Sequence, residues 1–155
     1  MIYLSIANPL NLPEIVSNIL KYLAPNDFEQ CNKINCTWKN EVLYELRKRY
    51  KLLDNEYENI TKKYHEADKE FIAYSNGLFN GMDKKCVELH TKAYKLGSKK
   101  YTIWSEFISI VKCIKNLNLE NEFKSEPIDY YIYLHENNLE PDSIDGLLDD
   151  EDNYY

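Results

Sequence analysis

Residues 43–74 read LYELRKRYKLLDNEYENITKKYHEADKEFIAY, and the spacing of their apolar positions decides the fold class. Leu43, Leu46, Tyr50, Leu53, Tyr57, Ile60, Tyr64, Ala67, Phe71 and Tyr74 recur at alternating intervals of three and four. That period lays them along one seam of an α-helix. Beside the seam stand Arg47, Arg49, Asp54, Glu56, Lys63, Asp68 and Glu70. Neither Gly nor Pro interrupts from Asn26 to Asn76, so a single helix of about 47 Å fits residues 43–74 at the usual rise. Four heptads with charged flanks meet the sequence test for a coiled-coil seam. Three a-type positions are Tyr, however, whose hydroxyl must be satisfied, whereas a parallel two-stranded coil prefers Ile or Val there. The seam is therefore expected to pack within the chain, beneath the C-terminal helices. Pairing with a second copy, or two shorter helices broken near residues 65–68, are the alternatives.

Upstream, Leu12-Pro13 suits a helix start, because Pro presets φ and donates no amide where none is needed. Asn11 and Glu14 have capping-box spacing. Ile15, Ile19, Leu20 and Leu23 fall on one stripe, and Ala24-Pro25 ends the helix. Asn26 and Glu29 repeat the capping spacing, so a second helix is expected from Asp27, with Phe28, Cys31, Ile34 and Trp38 inward. A third continues through Val42, Leu43 and Leu46. Three short helices over some 40 residues bury too little for independent stability, so the segment needs a partner or the rest of its own chain.

The order Leu12-Pro13-Glu14-Ile15, Ile19-Leu20-Lys21-Tyr22-Leu23, Asp27-Phe28, Ile34 and Trp38 resembles the F-box, over roughly residues 10–50. One position departs: Glu14 follows Pro13 directly, where most relatives carry an extra residue. The resemblance implies a three-helix module that docks on a Skp-type adaptor and, through it, on a cullin ubiquitin ligase. It implies an apolar docking face from Leu12, Pro13, Ile15, Ile19, Leu20 and Leu23. Asp27 would cap the second helix, and Ile34 and Trp38 would hold the three helices together and complete the interface. By the same resemblance, the long helix would be a stalk holding a target at a set distance from the ligase, and a stiff spacer raises effective concentration.

Beyond Gly77 the pattern remains helical. Asn76-Gly77 and Asn80-Gly81 mark a turn. A helix is expected from Asp83 to Leu96, closed by Gly97 in the C′ position. Another follows over Tyr101–Leu117, apolar on more than one face, as for a helix at the centre of a bundle. Pro127 would open a last helix carrying Ile128, Tyr130, Tyr131, Tyr133 and Leu134. The expectation is an all-α chain: an F-box-like module at 8–50, a helical region at 51–137, and an acidic tail at 138–155 expected to be disordered. Tyr130, Tyr131 and Tyr133 are the candidates for target binding, since Tyr is enriched at hot spots; in so short a helix, tyrosines more often serve the core.

The net charge of −7 is concentrated at one end. Glu140, Asp142, Asp145, Asp149, Asp150, Glu151 and Asp152 supply it, leaving 19 acidic against 19 basic residues elsewhere. Such a tail repels phosphate and disfavours nucleic acid as a partner. Ile144, Leu147 and Leu148 among these acids would suit a basic groove. No apolar run approaches a membrane span, and the opening residues 1–7 lack the basic region of a secretory signal. Four irregularly spaced cysteines point to a reducing compartment, cytoplasmic or nuclear. The wealth of Asn, Lys, Ile and Tyr fits an AT-rich genome such as that of a large DNA virus, in which case the compartment is the host cytoplasm.

Catalytic patterns are missing from the sequence. Cys86 and His90 share a helix face at i, i+4, but no second ligand pair accompanies them, and Cys113 and His135 stand alone. There is no glycine-rich phosphate loop and no nucleophile elbow. The expectation is a chain without enzymatic activity, metal or cofactor. It would act as an F-box-type substrate adaptor or, alternatively, as a self-packed structural bundle that pairs through the heptad.

Overall fold

A computed structural model describes Leu10 and residues 12–77 and 82–141. Asn11, Asn80-Gly81, residues 1–7 and the acidic run from Asp142 onward, with Ile144, Leu147 and Leu148, lie outside the described residues. Among the described residues five α-helices follow in order: α1 (Pro13–Leu20), α2 (Phe28–Cys31), α3 (Cys36–Ser75), α4 (Lys84–Asn116) and α5 (Ile128–Glu136). Short 3₁₀ turns occupy Pro25–Asp27 and Glu120–Phe123. Among the described residues there is no strand, so the chain is all-α. No described helix is long and apolar enough to cross a membrane.

The described residues form two compact units, one of those within 48–107 and one that joins those up to 47 to those from 108. In the first, α3 and α4 run antiparallel, because ring partners climb along α3 as they fall along α4. Tyr50 meets Phe107 with centroids 5.0 Å apart, Tyr57 meets Trp104 at 5.3 Å, and Phe71 meets His90 at 5.2 Å. Tyr50, Leu53, Tyr57, Ile60 and Ala67 are buried. The heptad seam is thus filled within the chain, and α3 passes unbroken through residues 65–68. Offset aromatic pairs of this kind add about 0.5–1.5 kcal/mol beyond the area they bury. Lys100 is also buried on this seam, with its ammonium 5.7 Å from the Tyr57 ring and 5.4 Å from the Tyr64 ring. The negative ring faces offset part of the cost of removing that charge from water.

Gly97 does not close a helix. It lies inside α4, where a Cβ would stand 3.2 Å from Cε2 of Tyr64. The expected break between Leu96 and Tyr101 is absent because glycine here admits a neighbouring ring rather than a left-handed turn. The start of α4 is fixed by Asp83. Its Oδ1 accepts the Cys86 N–H at 2.8 Å, and its Oδ2 accepts the Tyr74 hydroxyl at 2.6 Å. Those two bonds, the hydroxyl first, hold the Asp83 carboxyl below the usual carboxylate range.

In the second unit the core comprises Val16, Leu20, Phe28, Cys31, Trp38, Val42 and Leu46 from the N-terminal part. Ile110, Val111, Ile114, Phe123, Ile128 and Leu134 come from the C-terminal part. The Arg47 guanidinium binds Glu122 Oε2 at 2.9 Å and lies 6.0 Å above the Phe123 ring. The Cys113 thiol donates to the Pro25 carbonyl at 3.2 Å. Helices α4 and α5 end alike. Leu119 N–H returns to the Ile114 carbonyl and Asn118 N–H to that of Lys115; Leu139 and Asn138 do the same with Leu134 and His135. Asn118 and Asn138 both have φ 54°. These are Schellman caps with Asn in the left-handed position.

Candidate docking surface

Helix α1 opens at Leu12, an extended N-cap that contributes no side-chain bond, followed by Pro13 and the first-turn acid Glu14. It divides its apolar residues between two lines. Val16 and Leu20 are wholly buried, while Ile15, Ile19 and Leu23 are half-buried and Leu12 is 44% exposed. Leu12, Ile15 and Ile19 follow one another at steps of three and four, so they form a line beside the buried one, and Leu23 lies in the bend past the helix end. The stripe expected from the sequence includes Leu20 and omits Val16. Leu20 instead belongs to the core, with Val16 one turn before it.

Asp27 is exposed and its carboxylate accepts the Ala24 N–H at 3.2 Å. It therefore pins the entry to the Pro25–Asp27 turn rather than the start of α2, to which it makes no side-chain cap bond. Helix α2 itself is short and ends at Cys31, which corrects the expectation of one helix running to Trp38. The reason is Asn35: its Oδ1 accepts the Trp38 N–H at 3.1 Å, capping a new helix. Ile34 consequently lies in the turn between helices and is 54% exposed, not inward. Trp38 is buried, on the first turns of α3.

Leu10, Leu12, Tyr22, Ile34 and Tyr44 are the large apolar residues exposed among the described residues up to 50, Tyr22 at 88%. Proline at position 13 is exposed beside Leu12. Next to Ile34, Lys33 reaches Glu29 at 2.8 Å and lowers that carboxyl's pKa. The Cys31 thiol is pushed up, chiefly by desolvation and then by the charge of Asp27. That is the reverse of what activates a thiolate nucleophile.

The three tyrosines of α5 belong to the same unit. Ile128 and Leu134 fill the core, Tyr131 is half-buried, and Tyr130 and Tyr133 are 40% and 54% exposed. Two of the three thus face water rather than the core. Among the described residues no group of His, Cys, Asp and Glu could hold a metal. Cys86 is buried, and His90 packs edge-on against Phe71.

No family model, no curated protein and no solved structure matches the chain.

Proposed function

We propose that the chain is a non-catalytic docking protein of F-box type. In this reading its N-terminal helices bind a Skp-type adaptor of a cullin ubiquitin ligase, and its C-terminal helices recruit a protein target. The observation that supports the reading is the outer line of α1, Leu12, Ile15 and Ile19, together with the half-buried Leu23 past its end and the exposed Ile34. These residues keep apolar surface on the part of the chain whose order resembles the F-box. The exposed Tyr130 and Tyr133 supply a candidate target surface. The work done is proximity, with no bond made or broken by this chain. It would take place in the cytoplasm or nucleus, or in host cytoplasm for a viral chain.

The test is co-expression of the full chain with a eukaryotic Skp-type adaptor, with Leu12→Asp and Ile34→Asp as variants. Both positions are exposed, so the variants should stay folded and lose the adaptor. A folded wild-type chain that fails to bind would end the reading. A second reading, a self-packed helical interaction protein, is favoured by one observation: Val16, Leu20, Phe28 and Trp38 share a unit with residues 108–134. It predicts a soluble protein that needs no partner.

A further inference from the structure

Within residues 48–107, α4 presents a second apolar line. Val87, Tyr94 and Tyr101 recur every seven residues and are 50%, 69% and 66% exposed. Thr91 and Ser98 stand between them and Ser105 follows Tyr101, all exposed and at steps of three and four. This line holds no Asp, Glu, Lys or Arg from Val87 to Ser105. A helix face that meets only water ordinarily carries its charges outermost.

Here the charge stands to one side and is mostly positive, with Glu88 and Glu106 on the same flank as the lysines. Residues 84–107 hold six lysines against Glu88 and Glu106, a net +4, whereas residues 48–75 of α3 hold six basic and six acidic residues. Lys84, Lys95 and Lys99 adjoin the uncharged line. Lys84 lies 4.0 Å from Glu88, and Lys92, farther round, is taken by Glu70 at 3.0 Å. Lys95 and Lys99 make no ion pair among the described residues. On the same side a groove of about 770 Å³ opens between α3 and α4, with Ala67 and Leu96 among its lining. Val87 and Thr91 belong to groove and line alike. Of the groove's carboxylates, Glu70 and Glu88 have lysine partners, and Glu66 makes no ion pair among the described residues.

We infer that this face docks an acidic amphipathic helix of a partner protein. Its leucine or isoleucine side chains lie on Val87, Tyr94 and Tyr101, and its carboxylates meet Lys95 and Lys99. The span from Val87 to Tyr101 is about 21 Å, four turns of a helix laid alongside. Tyrosine supplies rigid contact area at small entropic cost and is enriched at hot spots. The unpaired lysines select the sign of the partner and speed its approach. A nucleic acid is the poorer fit, because the centre of the face is uncharged and the whole chain is at −7. Adaptor docking by the N-terminal helices is not required.

The probe is a synthetic fluorescent peptide, long enough to span that distance, with leucines at heptad spacing and glutamates between them. It is titrated against the full chain by polarisation. The expected result is binding that weakens by about tenfold or more in Tyr94→Ser/Tyr101→Ser and in Lys95→Glu/Lys99→Glu, each confirmed folded by circular dichroism. A matching peptide with lysine for glutamate should ignore the wild-type chain and bind the charge-reversed variant. Absence of binding, or equal binding by both peptides, would overturn the inference. So would displacement by single-stranded oligonucleotide at lower concentration than by unlabelled peptide. Tighter binding on replacing Asp149, Asp150 and Asp152 by Asn would assign the face to the chain's own acidic segment. Self-association abolished by Tyr94→Ser would assign it to a second copy, and either result would likewise refute it.

Discussion

Leu20 and Leu12 lie two turns apart in the N-terminal segment, and replacing each by aspartate should give opposite outcomes. Leu20 is fully buried, whereas Leu12 is 44% exposed. Removing a buried leucine side chain costs about 2–5 kcal/mol in lost transfer energy and cavity. A carboxylate in its place adds several kcal/mol more, since burial strips it of water among apolar neighbours. The sum approaches the whole stability of an ordinary domain, about 5–15 kcal/mol. Leu20→Asp should therefore unfold the unit that contains it, while Leu12→Asp should stay within about 0.5 kcal/mol of wild type. Urea denaturation of the full chain, followed by far-ultraviolet circular dichroism, measures both.

The pH dependence gives the sign. The buried carboxyl introduced by Leu20→Asp would have its folded pKa raised above the unfolded value of about 3.9. The charge part of the penalty is then absent below that value and grows as pH rises through it. The deficit relative to wild type should shrink on acidification but not vanish, because the cavity remains. A Leu20→Asp chain as stable as wild type at neutral pH would refute the packing described for α1. This also determines how docking is tested. Loss of adaptor binding in Leu20→Asp would report unfolding, so the informative positions are Leu12 and Ile34.

Other perturbations read other joints. Gly97→Leu should destabilise by about 1–3 kcal/mol through overpacking against Tyr64, whereas a helix C′ glycine would show its loss as fraying instead; thermal melts with hydrogen exchange at residues 98–101 separate the two. Asp83→Asn should lower the melting temperature at neutral pH. Because the Asp83 pKa is depressed, its contribution is present above the unfolded carboxyl value and lost as pH falls through the folded one, so the two proteins should converge in acid. Asn118→Ala should cost about 1 kcal/mol for its left-handed backbone, and Asn118→Gly should cost nothing or stabilise, as followed by chemical denaturation.

The helical class and the heptad are legible because periodicity is a local property of the chain. Choosing the partner of the seam needs one further fact, that tyrosine sits poorly at a-type positions of a two-stranded coil, and that too is visible in residues 50, 57 and 64. Gly97 misleads for a physical reason. A glycine after an apolar run looks the same whether it ends a helix or clears space for a ring, and the ring belongs to Tyr64 on another helix. The environment of Lys100 is hidden for the same reason, since only pairing α3 with α4 puts Tyr57 and Tyr64 beneath its ammonium.

Other signals are local and still easy to miss. Asn35 stands three residues before Trp38, the spacing of a capping side chain, and it is why Ile34 turns outward instead of continuing α2. Asn118-Leu119 and Asn138-Leu139 repeat one C-terminal cap, in which asparagine takes the left-handed position and the following leucine returns its amide to the helix. Two residues of that cap suffice to stop a helix without glycine or proline. In a chain with four glycines and five prolines, such asparagines carry much of the punctuation. Exchanging Asn118 for a helix former that resists positive φ therefore tests more than one turn. It tests whether α4 stops where its apolar positions end, or where its cap compels it to.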